Sequence, residues 1–155
     1  METVTKWLCP QEIELDVDAA NRRDLLRTVS ALIERRTSLR APVVYRALWR
    51  RERASSTGVG NGFAIPHARI KGLKKPFGIL ARLKSAIDFD AIDDKPIDIV
   101  FLLLLPVETE GEHITALASV ARMLRDAESV GKLRHAADNA DIYRAMTENR
   151  KSKIT

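Results

Sequence analysis

One run of residues limits the fold more than any other: PIDIVFLLLL at 96–105. Past Asp98 it is apolar without a break. It is too short for a membrane span, which takes roughly 18–20 residues, and too continuous for a strand with one wet face. It reads as a strand covered on both faces, and such a strand belongs to a sheet with helices above and below it. FGILARLKSAI at 77–87 alternates well enough for a second strand, and FAIPH at 63–67 is a short one that ends at a proline.

Helical periodicity fills most of the remainder. Leu25, Leu26, Val29, Leu32 and Ile33 share a face within 18–36, with Asp18 or Asn21 placed to cap it. A second helix starts near Pro42, a residue suited to a first turn, and runs to about Arg53. ASSTGVGNG is a loop by composition. After PVETEGE, Ile114, Leu117, Val120, Ala121 and Leu124 line one side of a further helix. Two shorter helices follow around 128–137 and 139–148, before a basic tail expected to fray over about 149–155. No repeat, low-complexity tract or Pro/Gly linker divides the chain. The expected fold class is therefore α/β: a single domain over 1–155 built as a three-layer α/β/α sandwich on a mixed β-sheet, with the strand order left open.

Composition narrows what such a domain does. The single Cys9 can form no internal disulfide and the N-terminus lacks an apolar signal core, so the reading is a cytoplasmic protein with no membrane insertion. The net charge of +5 suggests nucleic acid until its distribution is considered. Residues 22–53 carry ten arginines against three acids, a local net of +7, whereas residues 86–112 carry eight acids against one lysine, a local net of −7. The molecule is polarised rather than uniformly basic. No zinc-finger spacing, homeodomain pattern or aromatic RNA-binding signature accompanies the arginines, so nucleic acid is not an expected partner.

Three side chains stand where charge or imidazole is unusual. In the helix from Pro42, Arg46, Arg50 and Arg53 form a solvent stripe, but Arg51 lies three residues past Leu48 and seven past Val44, at the edge of the buried face. A charge there needs an anionic partner, either a carboxylate of the protein or a ligand. His113 falls in the first turn of its helix on the side of Leu117, Val120 and Leu124. The helix dipole and burial disfavour charging it, so it is either a satisfied core histidine or a neutral donor beside open backbone N–H groups, a place suited to phosphate. His67 follows Pro66 at the mouth of a loop with Gly58, Gly60 and Gly62, where backbone can approach closely and turn amides can gather around an anion. It is either a turn residue or a phosphoryl carrier. His135, amid KLRHAAD, reads as a surface helix residue.

Other chemistries lack their patterns. GVGNG has neither the spacing nor the preceding strand of a dinucleotide fingerprint, and no G-K-[ST] exists for a nucleotide loop. Ser55 and Ser56 lie in no G-x-S-x-G elbow. His67, His113 and Cys9 show no short ligand spacing, so no metal is expected.

RRERASSTGVGNGFAIPHARI, residues 50–70, resembles the active-site segment of enzyme IIA proteins of the fructose/mannitol/nitrogen class in the bacterial phosphotransferase system. The likeness is nearest to the stand-alone nitrogen-type, or nitrogen regulatory, branch. It continues through AIDFDAIDDKPIDIVFLLLLPVE and EHITALASVARMLRD, covering about residues 8–148. The resemblance implies that His67 is the phosphorylated residue, with the phosphate on Nε2 and Nδ1 held by a backbone acceptor. It implies that Arg51, sixteen positions earlier, is the active-site arginine and that His113 is the second active-site histidine, donating without carrying phosphate. These are the three residues that the helix faces and the loop had singled out.

The resemblance further implies a phosphate-binding loop of Thr57, Gly58, Gly60, Asn61 and Gly62, and no cofactor, because an N–P donor is already activated. The implied donor is an HPr-like phosphocarrier protein. The implied role is a phosphorylation-dependent regulator of target proteins, with two alternatives: a fructose- or mannitol-type uptake protein passing phosphate to an enzyme IIB, or a binding module that does not transfer. In one respect the chain departs from the family: Ala68 stands where members commonly have glycine. A positive φ there would cost about 1 kcal/mol or more, whereas a need for mere smallness is met.

Overall fold

A computed structural model describes residues 12–108, 110–124 and 126–152, without the side chains of 110–114, 116 and 147–152. The expected strands at 77–87 and 96–105 are present as β5 (Phe77–Ile87) and β6 (Ile97–Pro106). They pair antiparallel from Phe77 opposite Leu104 to Ile87 opposite Ile97. Around them lie β1 (Ile13–Val17), β2 (Gly58–Gly60), β3 (Phe63–Ala64) and β4 (His67–Ile70). The order across the sheet is β1-β5-β6-β3-β2, with β4 also on β6. β1 runs parallel to β5, β3 and β4 parallel to β6, and β2 antiparallel to β3, so the sheet is mixed as expected.

The continuous apolarity of β6 has the anticipated cause. Val100, Leu102 and Leu104 enter one core while Ile99, Phe101, Leu103 and Leu105 enter another, because successive strand residues point to opposite faces. The first core is closed by α1 (Arg22–Arg36) and α2 (Ala41–Ala54) through Leu25, Leu26, Val29, Ile33, Val44 and Leu48. The second is closed by α3 (Glu110–Leu124), α4 (Ala127–His135) and α5 (Asn139–Ser152), chiefly through Val120, Leu124, Leu133 and Ile142. All seven β6 residues are at most 1% exposed. Each contributes about 1.5–3 kcal/mol of burial. The sandwich thus has three layers.

Local signals set most boundaries. Asn21 caps α1, its Oδ1 accepting from Asp24 N–H at 2.8 Å, which selects it over Asp18. Pro42 sits in the first turn of α2, whose Ala41 N–H is satisfied by the Glu34 carboxylate at 2.9 Å. The arginines of these helices are partly spent on aromatic rings: Arg22 and Arg23 lie over Trp49, and Arg27 over Tyr45.

Two sequence expectations need correcting. Part of the glycine-rich loop is a strand, β2, hydrogen-bonded to β3 with Gly58 opposite Ala64. The turn joining them takes positive φ at Gly60, Asn61 and Gly62 (103°, 56° and 86°), which accounts for both glycines. The last helix continues through Ser152, so only 153–155 of the tail, like Cys9, lie outside the described residues.

Candidate active site

The segment 63–70 positions the site. β3 and β4 lie end to end along β6 in one unbroken register, Phe63 opposite Ile99 and His67 opposite Leu103. Ile65 and Pro66 interrupt the ladder, since proline has no N–H to give. There the chain is held differently: Pro66 O accepts from Leu103 N–H at 2.9 Å, and Ile65 N–H donates to Thr57 O at 2.9 Å. Ile65 O turns toward the next imidazole and accepts from His67 Nδ1 at 2.8 Å.

α2 packs against β4 and brings Arg51 to the same ring. Arg51 Nε donates to His67 Nε2 at 3.2 Å, and its Nη1 donates to Ser55 O at 2.8 Å. These partners fix the tautomer. A carbonyl can only accept, so Nδ1 carries the proton; a guanidinium can only donate, so Nε2 presents its lone pair. His67 is half-buried at the edge of a hollow of about 340 Å³ lined by Ala47, Arg50, Arg51, His67, Ala68 and Arg69. Arg46, Arg50 and Arg53 are exposed, as their stripe required.

The alternative for Arg51 was a carboxylate partner. Among the described residues it forms no ion pair; the buried carboxylate beside it, Glu52, is turned the other way. Ala68 is a buried strand residue opposite Leu104, outside the positive-φ set, so alanine there carries no backbone strain.

The structure does not bring the glycine turn to His67. Phe63 and His67 are four strand residues apart, roughly 13 Å at the usual rise, and Gly60–Gly62 lie beyond Phe63. Three of the loop amides also have partners. Thr57 N–H donates to Glu52, Gly58 N–H to Ser56 Oγ and Asn61 N–H to Asp93, while Gly62 O accepts from Asp98 and Ile99. His113 belongs by its backbone to the first turn of α3; its side chain lies outside the described residues. His135 ends α4. Among the described residues, no three His, Cys, Asp or Glu side chains converge as metal ligands, and no helix is long and apolar enough to cross a membrane.

Glu52 was missed by sequence reasoning. It lies four residues past Leu48 and eight past Val44, and these three are the buried residues of α2. That spacing was readable as a carboxylate in the centre of the buried face.

The structure thus sets an arginine-held histidine on a strand at the rim of a mixed sheet between two helical layers. Residues 7–149 match the family described as phosphoenolpyruvate-dependent sugar phosphotransferase system, EIIA 2. The chain belongs to this family. It is 36% identical to a nitrogen regulatory protein of Bradyrhizobium diazoefficiens over 92% of this chain and 94% of that one. With the nitrogen regulatory protein of Escherichia coli K12 it shares 35% identity over 85% and 82% of the two chains. The crystal structure of nitrogen regulatory protein IIA-Ntr from Neisseria meningitidis superposes with a TM-score of 0.88 at 31% identity, covering 92% of this chain and 98% of that one.

Proposed function

We propose that the chain is a nitrogen-type phosphocarrier in which His67 takes a phosphoryl group from an HPr-like protein, and that its phosphorylation state selects its regulatory targets. The observation that carries this reading is the paired restraint on one imidazole: Nδ1 on Ile65 O and Nε2 facing Arg51 Nε. A ring so held is neutral, correctly tautomerised and nucleophilic at Nε2. The donor's N–P bond breaks as the Nε2–P bond forms. The electron pair returns to the donor nitrogen, and Nδ1 keeps its proton throughout.

Once Nε2 is bonded to phosphorus it no longer accepts a hydrogen bond, and the Arg51 Nε–H that had faced it is left to a phosphoryl oxygen. The same donor therefore orients the ring before transfer and stabilises spread charge during it. His113 supplies one further donor in this reading. The turn at Gly60–Gly62 is assigned no phosphate contact, because Asn61 N–H is directed at Asp93.

The nitrogen-type role is favoured over sugar uptake by coverage. The nitrogen regulatory relatives match over most of both chains, whereas a fructose-specific EIIA component of Haloferax volcanii matches over 66% of each. Phosphoryl transfer to a neutral His67 that keeps its Nδ1 proton adds one net negative charge, presented as three phosphoryl oxygens in a hollow lined by Arg50, Arg51 and Arg69, a change large enough to exchange one partner for another.

Mass spectrometry after incubation with phosphoenolpyruvate, enzyme I and an HPr-type carrier tests the reading. One acid-labile phosphate is expected, lost in His67→Ala and acquired more slowly in His113→Ala. An unmodified wild-type protein would refute it. A pull-down comparing phosphorylated protein with His67→Ala then identifies state-dependent targets.

A further inference from the structure

We propose that Glu52 is a positioning residue for His67, its buried carboxylate fixing the imidazole tautomer through Thr57 and Ile65. Its consequence for rate rests on the phosphocarrier reading; its consequence for the ring does not. Glu52 is 2% exposed. Burying a carboxylate is unfavourable by several kcal/mol unless it is paired and hydrogen-bonded, and a well-packed apolar side chain often serves stability equally well at such a position. Here the carboxylate is fully used. Oε2 accepts Thr57 N–H at 2.8 Å and lies 3.6 Å from Arg22 Nη1, while Oε1 accepts Thr57 Oγ1–H at 2.6 Å.

What this holding accomplishes is read one residue at a time. Thr57, pinned by both its amide and its hydroxyl, presents its carbonyl to Ile65 N–H at 2.9 Å. Ile65, anchored there, projects its own carbonyl to His67 Nδ1 at 2.8 Å. Adjacent residues of α2 thus govern the two nitrogens of one ring: Arg51 reaches Nε2 directly, and Glu52 reaches Nδ1 through three hydrogen bonds in series. The Ile65–Pro66 break in the ladder makes this necessary, because β6 does not take the Ile65 amide. Loosening Thr57 lets the Ile65 carbonyl lose its aim. The ring can then turn away from the Arg51 Nε–H, which only a lone pair accepts, and move its proton to Nε2, the form with no lone pair for attack.

Nitrogen-15 NMR of the histidine ring in the full-length protein reads the tautomer directly. The wild type is expected to show Nδ1–H at His67 and Glu52→Gln a mixture with Nε2–H. The same variant should lose about 10–100-fold in kcat for phosphoryl transfer with KM for the HPr-type carrier little changed. Thr57→Val, which removes only the hydroxyl, should move both readouts the same way by less. Asp98→Asn is the control: it loosens the Asp98–Arg134 pair at the other end of β3 and should leave tautomer and rate unchanged. A folded Glu52→Gln with pure Nδ1–H and wild-type kcat overturns the proposal, as does an equal tautomer shift in Asp98→Asn. If Glu52→Gln fails to fold, Thr57→Val decides alone, and wild-type behaviour there overturns it. A wild type that accepts no phosphate refutes the carrier reading, while the tautomer comparison still stands or falls by itself.

Discussion

Arg51 and Arg134 stand at the two ends of the strand pair β3–β4 and are held in opposite ways. Arg134 is saturated: its Nε and Nη2 meet both oxygens of Asp98 at 2.8 and 2.9 Å, Nη2 also donates to Asn61 O at 2.6 Å, and the guanidinium lies over Phe63. Arg51 meets a ring nitrogen and a carbonyl oxygen, both uncharged. Among the described residues no carboxylate answers its charge. A guanidinium compensated by a carboxylate ties helix to sheet; one oriented by neutral acceptors keeps its charge for an anion that arrives later. Geometry fixes both side chains equally well, so the distinction lies in the partner's charge.

The sharpest way to break that contrast is to remove Arg51. Arg51→Ala should slow phosphorylation of His67 about 10²–10³-fold, the usual result of deleting one oriented donor to a charged transition state and equivalent to about 3–4 kcal/mol. The midpoint of thermal unfolding should move little. Rapid-quench phosphorylation beside a thermal melt checks it, and a variant that fails to fold would make Arg51 a structural residue like Arg134.

That the helix pattern pointed to Arg51 and passed over Glu52 has a simple cause. Helical periodicity locates a face to within about one residue; it sets Arg51 at the edge of the buried stripe, where the structure also places Ala47. Both are half-buried, while the centre runs Val44, Leu48, Glu52. A charge at an edge advertises function; a charge in the middle is dismissed until its partners are seen, and Thr57 and Arg22 are partners no spacing rule supplies. The long strands and the capped helices were readable because their signals are local. β1 was missed although its Ile-Glu-Leu-Asp-Val alternates strictly; what left no local signal is its pairing with β5, more than sixty residues away. β2 was hidden by composition, two of its three residues being glycine. Of the residues 57–62 read as a phosphate loop, Thr57, Gly58 and Asn61 direct their amides to carboxylates and a hydroxyl of the protein itself, partners that composition does not reveal.

Gly62→Ala probes the saturated end. With φ at +86°, an added Cβ is strained in itself, and it would press on the Arg134 guanidinium and the Asp98 carboxylate. The expected loss is about 2–3 kcal/mol of stability in urea unfolding. His67 should keep its tautomer and its phosphorylation rate, because the strain falls at the far end of β3. A transfer defect in this variant, with stability preserved, would mean that the two ends are coupled and that the contrast drawn from the arginines is incomplete.

The smallest expected effect separates them by pH. Asp93 is fully exposed, and its carboxyl is held below the usual carboxylate range first by the hydrogen bond from Asn61 N–H and then by that from Lys95 N–H. A group with a lowered folded pKa contributes stability that is complete above its unfolded pKa, near 3.8, and is lost as pH falls through the folded value. Asp93→Asn should therefore be less stable than wild type near neutrality, with the difference narrowing as pH falls below about 4. Denaturant unfolding at several pH values measures it. A difference that stays constant across the acid limb would show that shape, not the ionised carboxylate, holds the Gly60–Gly62 turn, and would remove the electrostatic part of the contrast at this end of the molecule.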